Sequence, residues 1–413
     1  MPGVWHDSGV IGRPAALPLH LTAATLLRVS AEGMATALVL SVQARTGHAA
    51  TAGYLQTAMT LPYVLSGPVL GNAIDRVARP RRMVVALAAG YAAATALLLL
   101  TAGRSPMALA LCLAAVIGCT EPMVVALTSL LPRFVPAERL SRAYGLEASS
   151  YNLAAIAGPG MAAALAASMG GQYAGIAIVA SAVVGLLVLP LLPFPGPQKD
   201  ETPPGRWTGV VTGGLVVLVE GRVLRALTVA TTLAWLGFGG VAVTAVLFAQ
   251  HIGAEPSAGG RLLVAMAVGS LLGSLVCSRW LTPRHAEPVM LGGLVAFGAS
   301  LAALAVTPSV PWAMAAFAAA GVCEGPVFAA TLMLRQRESP PGRLGQVNTT
   351  AGSLKIGASA VGAALTAAFA DAVGPVGLVL AIAAFQFAGA ALGLLLLRVA
   401  PKGKSIDFRR RSS

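Results

Sequence analysis

Residues 71–82 read GNAIDRVARPRR and separate two apolar runs, LQTAMTLPYVLSGPVLG (55–71) and MVVALAAGYAAATALLLL (83–100). The stretch opens on a glycine and holds one Asp, four Arg and one Pro. A short, arginine-rich loop between long apolar segments is typical of an integral membrane protein. The remainder of the chain repeats this alternation.

The chain as a whole is too apolar for a soluble protein. Of its 413 residues, 56% are hydrophobic and only 10% are charged, with a mean hydropathy of +0.79, whereas soluble domains carry about 25% charged residues. About 20 apolar residues cross a bilayer as one helix. The Ala, Gly, Leu and Val content favours packed helices over a β-barrel. Twelve runs have the required length: 17–43, 50–71, 82–102, 106–131, 143–168, 173–195, 223–250, 259–281, 287–307, 311–334, 346–370 and 374–398.

The basic residues predict the orientation of these runs. Of the 28 Lys and Arg residues, Arg28 and Lys355 lie within runs and only three lie in loops on one side: Arg45, Arg104 and Arg261. All others lie on the side of both termini, as cytoplasmic loops do. We therefore expect a multi-pass protein of the inner (plasma) membrane with both termini cytoplasmic. This bias and contact with anionic lipid explain the net charge of +13, so no nucleic-acid partner is expected.

Two halves of the chain resemble each other. At a shift of 204 residues, PRFVPAERLSRAYGLEASSYNLAAIAGPGMAAAL from 132 lies over QRESPPGRLGQVNTTAGSLKIGASAVGAALTAAF from 336, which aligns Gly158 with Gly362. At a shift of 202, Cys277 stands opposite Asp75. The predicted fold class is an all-α integral membrane protein of twelve transmembrane helices in two six-helix pseudo-repeat halves. The predicted parts are the halves 1–195 and 223–400, the cytoplasmic linker 196–222 and the basic cytoplasmic tail 401–413.

Twelve runs, two halves and a central linker make the chain similar to the major facilitator superfamily, and the likeness covers nearly the whole chain. Its most specific element is that family's loop motif, Gly-x-Leu-Ala-Asp-Arg-x-Gly-Arg-Lys/Arg, between the second and third spans. Gly71, Asp75, Arg76 and Arg79 match this motif in register. The sequence departs from it at Ala73, Ile74, Ala78 and Pro80.

The resemblance implies a gate at this loop. An acid such as Asp75 can accept hydrogen bonds from the N-terminus of an opposing helix, which in the family is the start of span eleven, here 344–348. Such a contact would latch the halves together when the cytoplasmic side is closed. Arg76 and Arg79 either bridge toward Glu138 or serve only to orient the loop.

A second resemblance favours export. Drug–proton antiporters carry a glycine-rich pattern that ends Gly-Pro-x-x-Gly-Gly in span five. Here Gly158, Pro159 and Gly160 match, but alanines replace the closing glycines. The proline should bend the helix and the glycines should allow close packing there. The span-four arginine of many such antiporters is missing, and Glu121 stands in that span instead.

Charged residues inside spans are costly and indicate function. Arg28 and Glu32 are four residues apart, so they share a helix face and can pair. Glu32, tuned by Arg28, is the predicted proton-linked acid, and a static ion pair is the alternative. In the family, spans one, four, seven and ten line the central cavity, which implies that Glu32, Glu121 and Glu324 face it. Glu121 and Glu324 are predicted substrate-cation contacts or auxiliary proton sites, or else they stabilise proline-broken turns.

The remaining intramembrane charges are Glu147 in span five and Lys355 in span eleven. We interpret them as a structural or gating pair whose partners the sequence does not identify. Neither the cysteines nor the five histidines form a motif, so no metal and no cofactor is expected. Further cavity contacts could come from Tyr54, Gln56, Tyr63, Trp235, Phe238, Gln250, Phe328 and Gln386.

The predicted function is that of a monomeric secondary transporter that exports a small amphiphilic compound in exchange for protons. A proton-coupled or facilitated importer is the alternative, and a non-transporting partner-binding membrane protein is a further one. The chain has no GxSxG, no Walker loop and no metal-ligand cluster, so we do not expect an enzyme. The expected partners are a small-molecule substrate, protons and membrane lipid.

Overall fold

The computed structural model describes residues 15–46, 50–77, 79–192, 207–255 and 257–398. All regular elements within these ranges are helices, and no strand occurs in them. The predicted all-α class is confirmed.

The first half contains six membrane-crossing lengths built from seven helices. The fourth crossing is interrupted, because one helix ends at Thr120 and the next begins at Met123, after Glu121 and Pro122. The helices are α1 (Ala16–Thr46), α2 (Ala50–Arg76), α3 (Pro80–Thr101), α4 (Met107–Thr120), α5 (Met123–Thr128), α6 (Leu140–Met169) and α7 (Gly171–Val188).

The segment predicted as a linker contains a helix that the sequence analysis did not anticipate. This helix, α8 (Trp207–Glu220), lies against the second half, where its Gly214 contacts Thr350. The rest of the predicted linker before it, and the predicted tail 401–413, lie outside the described residues.

The second half also contains six crossing lengths. Its first crossing bends by 42° between two helices, and its last helix is broken at Gly374. Gly374 has φ 71°, a value that favours glycine, and Pro375 follows it, so the chain turns back there. The helices are α9 (Arg222–Phe238), α10 (Val241–His251), α11 (Ser257–Trp280), α12 (Ala286–Ala302), α13 (Val310–Glu338) and α14 (Leu344–Arg398).

The number of crossings agrees with the prediction. In the described ranges nine helical segments are long and apolar enough to cross a membrane, with α4 and α5 together forming one of them, and the bent pair α9–α10 makes ten. The 55-residue α14 supplies two crossings, on either side of Gly374. The remaining crossing is α2, a more polar helix of 27 residues with Pro62 and Pro68 inside it.

The two halves meet chiefly along two pairs of helices, α2 with α14 and α6 with α11, and α6 also contacts α13 while α5 contacts α14. Between α6 and α11, the Ser149 and Ser274 hydroxyls lie 2.9 Å apart, and the Asn152 amide donates to the Ser270 carbonyl at 3.1 Å. These contacts and those of α2 with α14 lie toward one end of the bundle, where α2 and α13 end and α6 and α14 begin. We call this end the arginine-rich face.

Candidate functional site

A cavity lies between the two halves. One part is walled by α1, α2, α5, α6, α13 and α14, and the other lies within the second half among α9, α12, α13 and α14. Phe328, Arg335 and Lys355 line both parts. We call the two parts together the central cavity.

The three acids expected at the centre all line this cavity. The Glu32 side chain is exposed in it, whereas Glu121 and Glu324 are half-buried. Glu32 and Glu121 are close enough to influence each other electrostatically. Glu121 sits at the break between α4 and α5, so the broken fourth crossing presents a carboxylate to the cavity.

Glu324 and Glu121 differ in their hydrogen bonding. The Ser270 hydroxyl of α11 donates to the Glu324 carboxylate, which joins α11 to α13 and does not stabilise the turn at Pro326. The Glu121 carboxylate has no side-chain hydrogen bond within the described residues. Neither carboxylate therefore has the turn-stabilising contact that was one of the sequence alternatives.

The predicted pairing of Arg28 with Glu32 is wrong. The Arg28 side chain is 1% exposed, and its Nη2 lies 2.5 Å from Oε1 of Glu147 on α6. The same nitrogen donates to the Thr128 hydroxyl at 3.2 Å, and Nη1 donates to the Ser150 hydroxyl. Spacing by four residues sets only a shared helix face. The guanidinium extends instead to a carboxylate and hydroxyls of neighbouring helices, which accept from Nη1 and Nη2, while Nε has no hydrogen-bond partner among the described residues.

His20 completes this cluster, although the sequence analysis gave no histidine a role. Its Nε2 lies 3.1 Å from Oε2 of Glu147, and both side chains are fully buried. The ionisable partners of Glu147 are therefore Arg28 and His20, within its own half, and the Thr128 hydroxyl also donates to Glu147 at 2.7 Å. We call Arg28, Glu147 and His20 the buried triad.

Lys355 has no such partner. Its Nζ lies 3.6 Å from the ring centroid of Trp235 and 4.7 Å from that of Phe328. Within the described residues no carboxylate oxygen lies within 4.0 Å of it. Glu324 and Glu32 act on it electrostatically from farther away. Lys355 therefore contacts two aromatic rings and does not form the expected gating pair.

Arg335 is a cavity residue that the sequence analysis missed, because it was counted among the arginines of the cytoplasmic side. It lies in α13, is 6% exposed and lines both parts of the central cavity. One signal was present in the sequence: Arg335 follows Glu324 by 11 residues, which is close to three helical turns. The two therefore share a face of α13.

The contact expected of Asp75 is present. Its carboxylate accepts hydrogen bonds from the backbone N–H groups of Gly345 at 3.0 Å and Gln346 at 2.8 Å, at the N-terminus of α14. Arg133 lies 3.9 Å from the same carboxylate. Gly71 packs directly against Gly345, where a side chain would prevent the approach. The contact joins the halves at the arginine-rich face, and its role as a latch remains a prediction.

The bridge from Arg76 and Arg79 to Glu138 is not observed. Arg79 and Glu138 are both exposed, and among the described ranges no ion pair joins either arginine to Glu138. The arginine that lies close to Asp75 is instead Arg133. Exposed side chains in water gain little from pairing, which leaves the orienting role for Arg76 and Arg79.

The glycines around Pro159 differ from each other. A side chain on Gly158 would meet the backbone of Gly33 and the carbonyl oxygen of Val29 in α1, at 2.6 Å each. A side chain on Gly160 would meet nothing within 4 Å, so the close packing expected at Gly160 is wrong. The helix continues across Pro159 to Met169. Gly158 therefore sets the approach of α6 to α1, next to Glu32.

The aromatic and amide residues that the sequence offered as further cavity contacts fall into two groups. Tyr54, Gln56 and Gln250 are exposed. The central cavity is lined by the others: Tyr63, Trp235, Phe238, Phe328 and Gln386.

The two-half fold recurs in known proteins. The sequence profile of the Major Facilitator Superfamily matches residues 21–248 and again residues 227–412. The chain belongs to this superfamily. It is a multi-pass membrane transporter, and the expected two-half fold of the superfamily is confirmed.

Relatives in sequence are bacterial transporters of this superfamily. An uncharacterised transporter, y4rN of Sinorhizobium fredii, is 28% identical over 370 residues, which are 86% of this chain and 87% of the relative. The multidrug efflux pump Tap of Mycolicibacterium fortuitum is 26% identical over 343 residues, 79% of this chain and 82% of the pump.

Solved structures of the superfamily share the fold. The human organic anion transporter MFSD10 (TETRAN) superposes with a TM-score of 0.75 at 16% identity, over 94% of this chain and 99% of that one. This likeness concerns the fold alone. The substrate of this superfamily member must therefore be argued from its own cavity.

Proposed function

We propose that this transporter exports small amphiphilic compounds, drugs or metabolites, in exchange for protons by alternating access. The observation that carries the proposal is a cavity between the halves walled by three carboxylates, of which Glu32 is exposed. Intramembrane carboxylates are costly and mark proton or cation pathways. Glu32 is the principal proton carrier in this proposal.

Within the described residues no ion pair involves Glu32, which supports this role. Arg28 is bound to Glu147, so among the described residues Arg28 and Lys355 attract Glu32 only from beyond ion-pair distance. A carboxylate in this position gains or loses its proton as its access to water and to Lys355 changes. Glu121 and Glu324 are then positioned to contact a cationic substrate or to act as auxiliary proton sites.

Closure at one end supports alternating access. We take the arginine-rich face as cytoplasmic, because basic loops remain on that side. The Asp75 contact with α14 and the packing of α6 on α11 close this end. In our proposal, these contacts break when the cavity opens to the cytoplasm to load its cargo. The motif at Gly158 and the likeness to an efflux pump favour export.

Reconstitution tests the proposal. The purified chain is placed in sealed vesicles with an acidic interior, and ethidium, tetraphenylphosphonium and a neutral dye are offered outside. We expect the pH gradient to drive accumulation of at least one compound, and Glu32→Gln to abolish the gradient dependence. Glu220→Gln, an exposed position at the end of α8, is the matched control and should behave as wild type.

Two outcomes would contradict the proposal. One is accumulation that Glu32→Gln leaves unchanged, which would remove Glu32 from the proton step. The other is accumulation only under the reversed gradient, which would indicate a proton-coupled importer.

A further inference from the structure

We propose that Lys355 is a tethered ligand that occupies an organic-cation site, and that a transported cation binds by displacing it. The site is the aromatic cage of Trp235 and Phe328 in the second half. This inference deepens the proposed function, on which it rests for the idea that the cavity carries cargo. It assigns Lys355 a role beyond its long-range attraction to Glu32 in the proton step.

The geometry of the cage is that of cation recognition. Both rings lie within the roughly 6 Å at which a ring face attracts a cation, at 3.6 Å for Trp235 and 4.7 Å for Phe328. Tyr151 of the first half packs edge-on against Phe328, with ring centroids 5.0 Å apart and planes at 86°. The cage therefore lies where the two halves meet.

The Lys355 ammonium is held in a way that permits its release. No ion pair within 4.0 Å fastens it among the described residues, and its side chain is half-buried and lines both parts of the cavity. A lysine has a flexible four-carbon stem and a compact charge. It can therefore leave the rings without breaking the fold.

The surrounding charges provide a place for the displaced ammonium. Glu32 and Glu324 attract Lys355 at longer range, while Arg335 repels it. When a substrate cation takes the cage, the ammonium can approach either carboxylate and form the ion pair that it lacks here. The cavity then holds two mobile cations facing three acids, Glu32, Glu121 and Glu324.

A tethered ligand lowers the apparent affinity of any free competitor. The apparent Kd is the intrinsic Kd divided by the fraction of sites that are vacant. If Lys355 occupies the cage nine tenths of the time, its removal tightens cation binding about tenfold. If Lys355 were an ordinary substrate-binding residue, its removal would weaken cation binding instead.

Equilibrium dialysis of radiolabelled tetraphenylphosphonium against the full chain in detergent, with no gradient, measures whether removing Lys355 tightens or weakens cation binding. We expect Lys355→Met to bind about tenfold more tightly than wild type and Lys355→Arg, which keeps a cation in place, to bind like wild type. Trp235→Leu should weaken binding. A double variant that combines Trp235→Leu with Lys355→Met should lose the tighter binding expected of Lys355→Met alone. Trp312→Leu, a tryptophan that is 65% exposed in α13, is the matched control and should bind like wild type.

Equal or weaker binding by Lys355→Met, in protein that remains monodisperse, overturns the proposal. Lys355→Gln provides the same comparison if the Met variant aggregates. A Trp235→Leu variant that binds like wild type overturns it as well. The dialysis needs no transport, so a lack of gradient-driven movement would reject only the proposed antiport, and unchanged binding would reject only the tethered-ligand role.

Discussion

Each half of the protein holds one intramembrane cation over an aromatic ring, but the two cations are held differently. Arg28 lies 3.6 Å from the centroid of the Tyr151 ring, and Lys355 lies 3.6 Å from that of Trp235. Arg28 is also bound by Glu147 and by hydroxyls and is fully buried. Lys355 faces the cavity, and among the described residues its close partners are aromatic rings, with no ion pair. The first cation stabilises structure, whereas the second remains available for exchange.

The internal repeat relates the two cation–ring contacts to each other. At the shift of 204 residues, Lys355 of α14 corresponds to Tyr151 of α6. The first half thus places the cation on its first helix and the ring on its fifth crossing, and the second half does the reverse. Both halves keep a cation–ring contact between equivalent helices and exchange the two partners.

The strongest test of this comparison is Glu147→Gln. Removing one partner of a buried ion pair costs about 3–5 kcal/mol, because the other charge stays buried without compensation. We expect the thermal unfolding midpoint in detergent to fall by several degrees, about 1 kcal/mol corresponding to 2–4 °C in a protein of moderate size. Lys355→Met should leave the midpoint near that of wild type, since no ion pair is lost. Equal destabilisation by the two variants would remove the distinction between the halves.

A smaller loss of stability is expected at Gly158 and Gly362, the two glycines that the internal repeat aligns. Gly158 packs on α1, and its repeat partner Gly362 packs against the backbone of Leu236 in α9. A methyl group at either position forces closely packed backbones apart, at a cost of about 1–3 kcal/mol. Gly158→Ala and Gly362→Ala should therefore lower the unfolding midpoint similarly.

Gly160→Ala is the matched control for these two variants. Its added methyl group meets open space, and alanine favours a helix by up to about 1 kcal/mol over glycine. The midpoint should stay unchanged or rise. A loss at Gly160 as large as at Gly158 would mean that proximity of the backbones is not the cause.

The smallest effect on stability is expected at the latch, which only the first half carries. Asp75→Asn removes a negative charge from the N-terminus of α14, a contribution of about 1 kcal/mol, which shifts a two-state equilibrium about fivefold. Membrane insertion and the unfolding midpoint should remain close to wild type, while gradient-driven transport slows. Cys277→Ser, at the position that matches Asp75 in the second half, should leave transport unchanged. Normal transport by Asp75→Asn would reduce the loop to an orienting signal.

Much of the candidate site could be predicted from the sequence. The resemblance to the major facilitator superfamily implied that Glu32, Glu121 and Glu324 face a common cavity, because spans one, four, seven and ten line it in that family, and all three acids do line it. The single acid in an arginine-rich loop indicated a contact beyond orientation, and Asp75 makes that contact with α14. Arg335 was missed because its place near the end of a run resembled a loop arginine.

The sequence by itself determined the membrane class, the twelve crossings, the two halves and the acid at the loop, since hydropathy, charge bias and repeats are properties of the chain's order. Only the tertiary structure decided which charges pair. Arg28 is four residues from Glu32 and 119 from Glu147, yet it binds the latter. Spacing along a helix defines a face, whereas helix packing decides which partner on that face is close and shielded from water. For the same reason, the position of Lys355 on Trp235 could not be predicted from either residue alone.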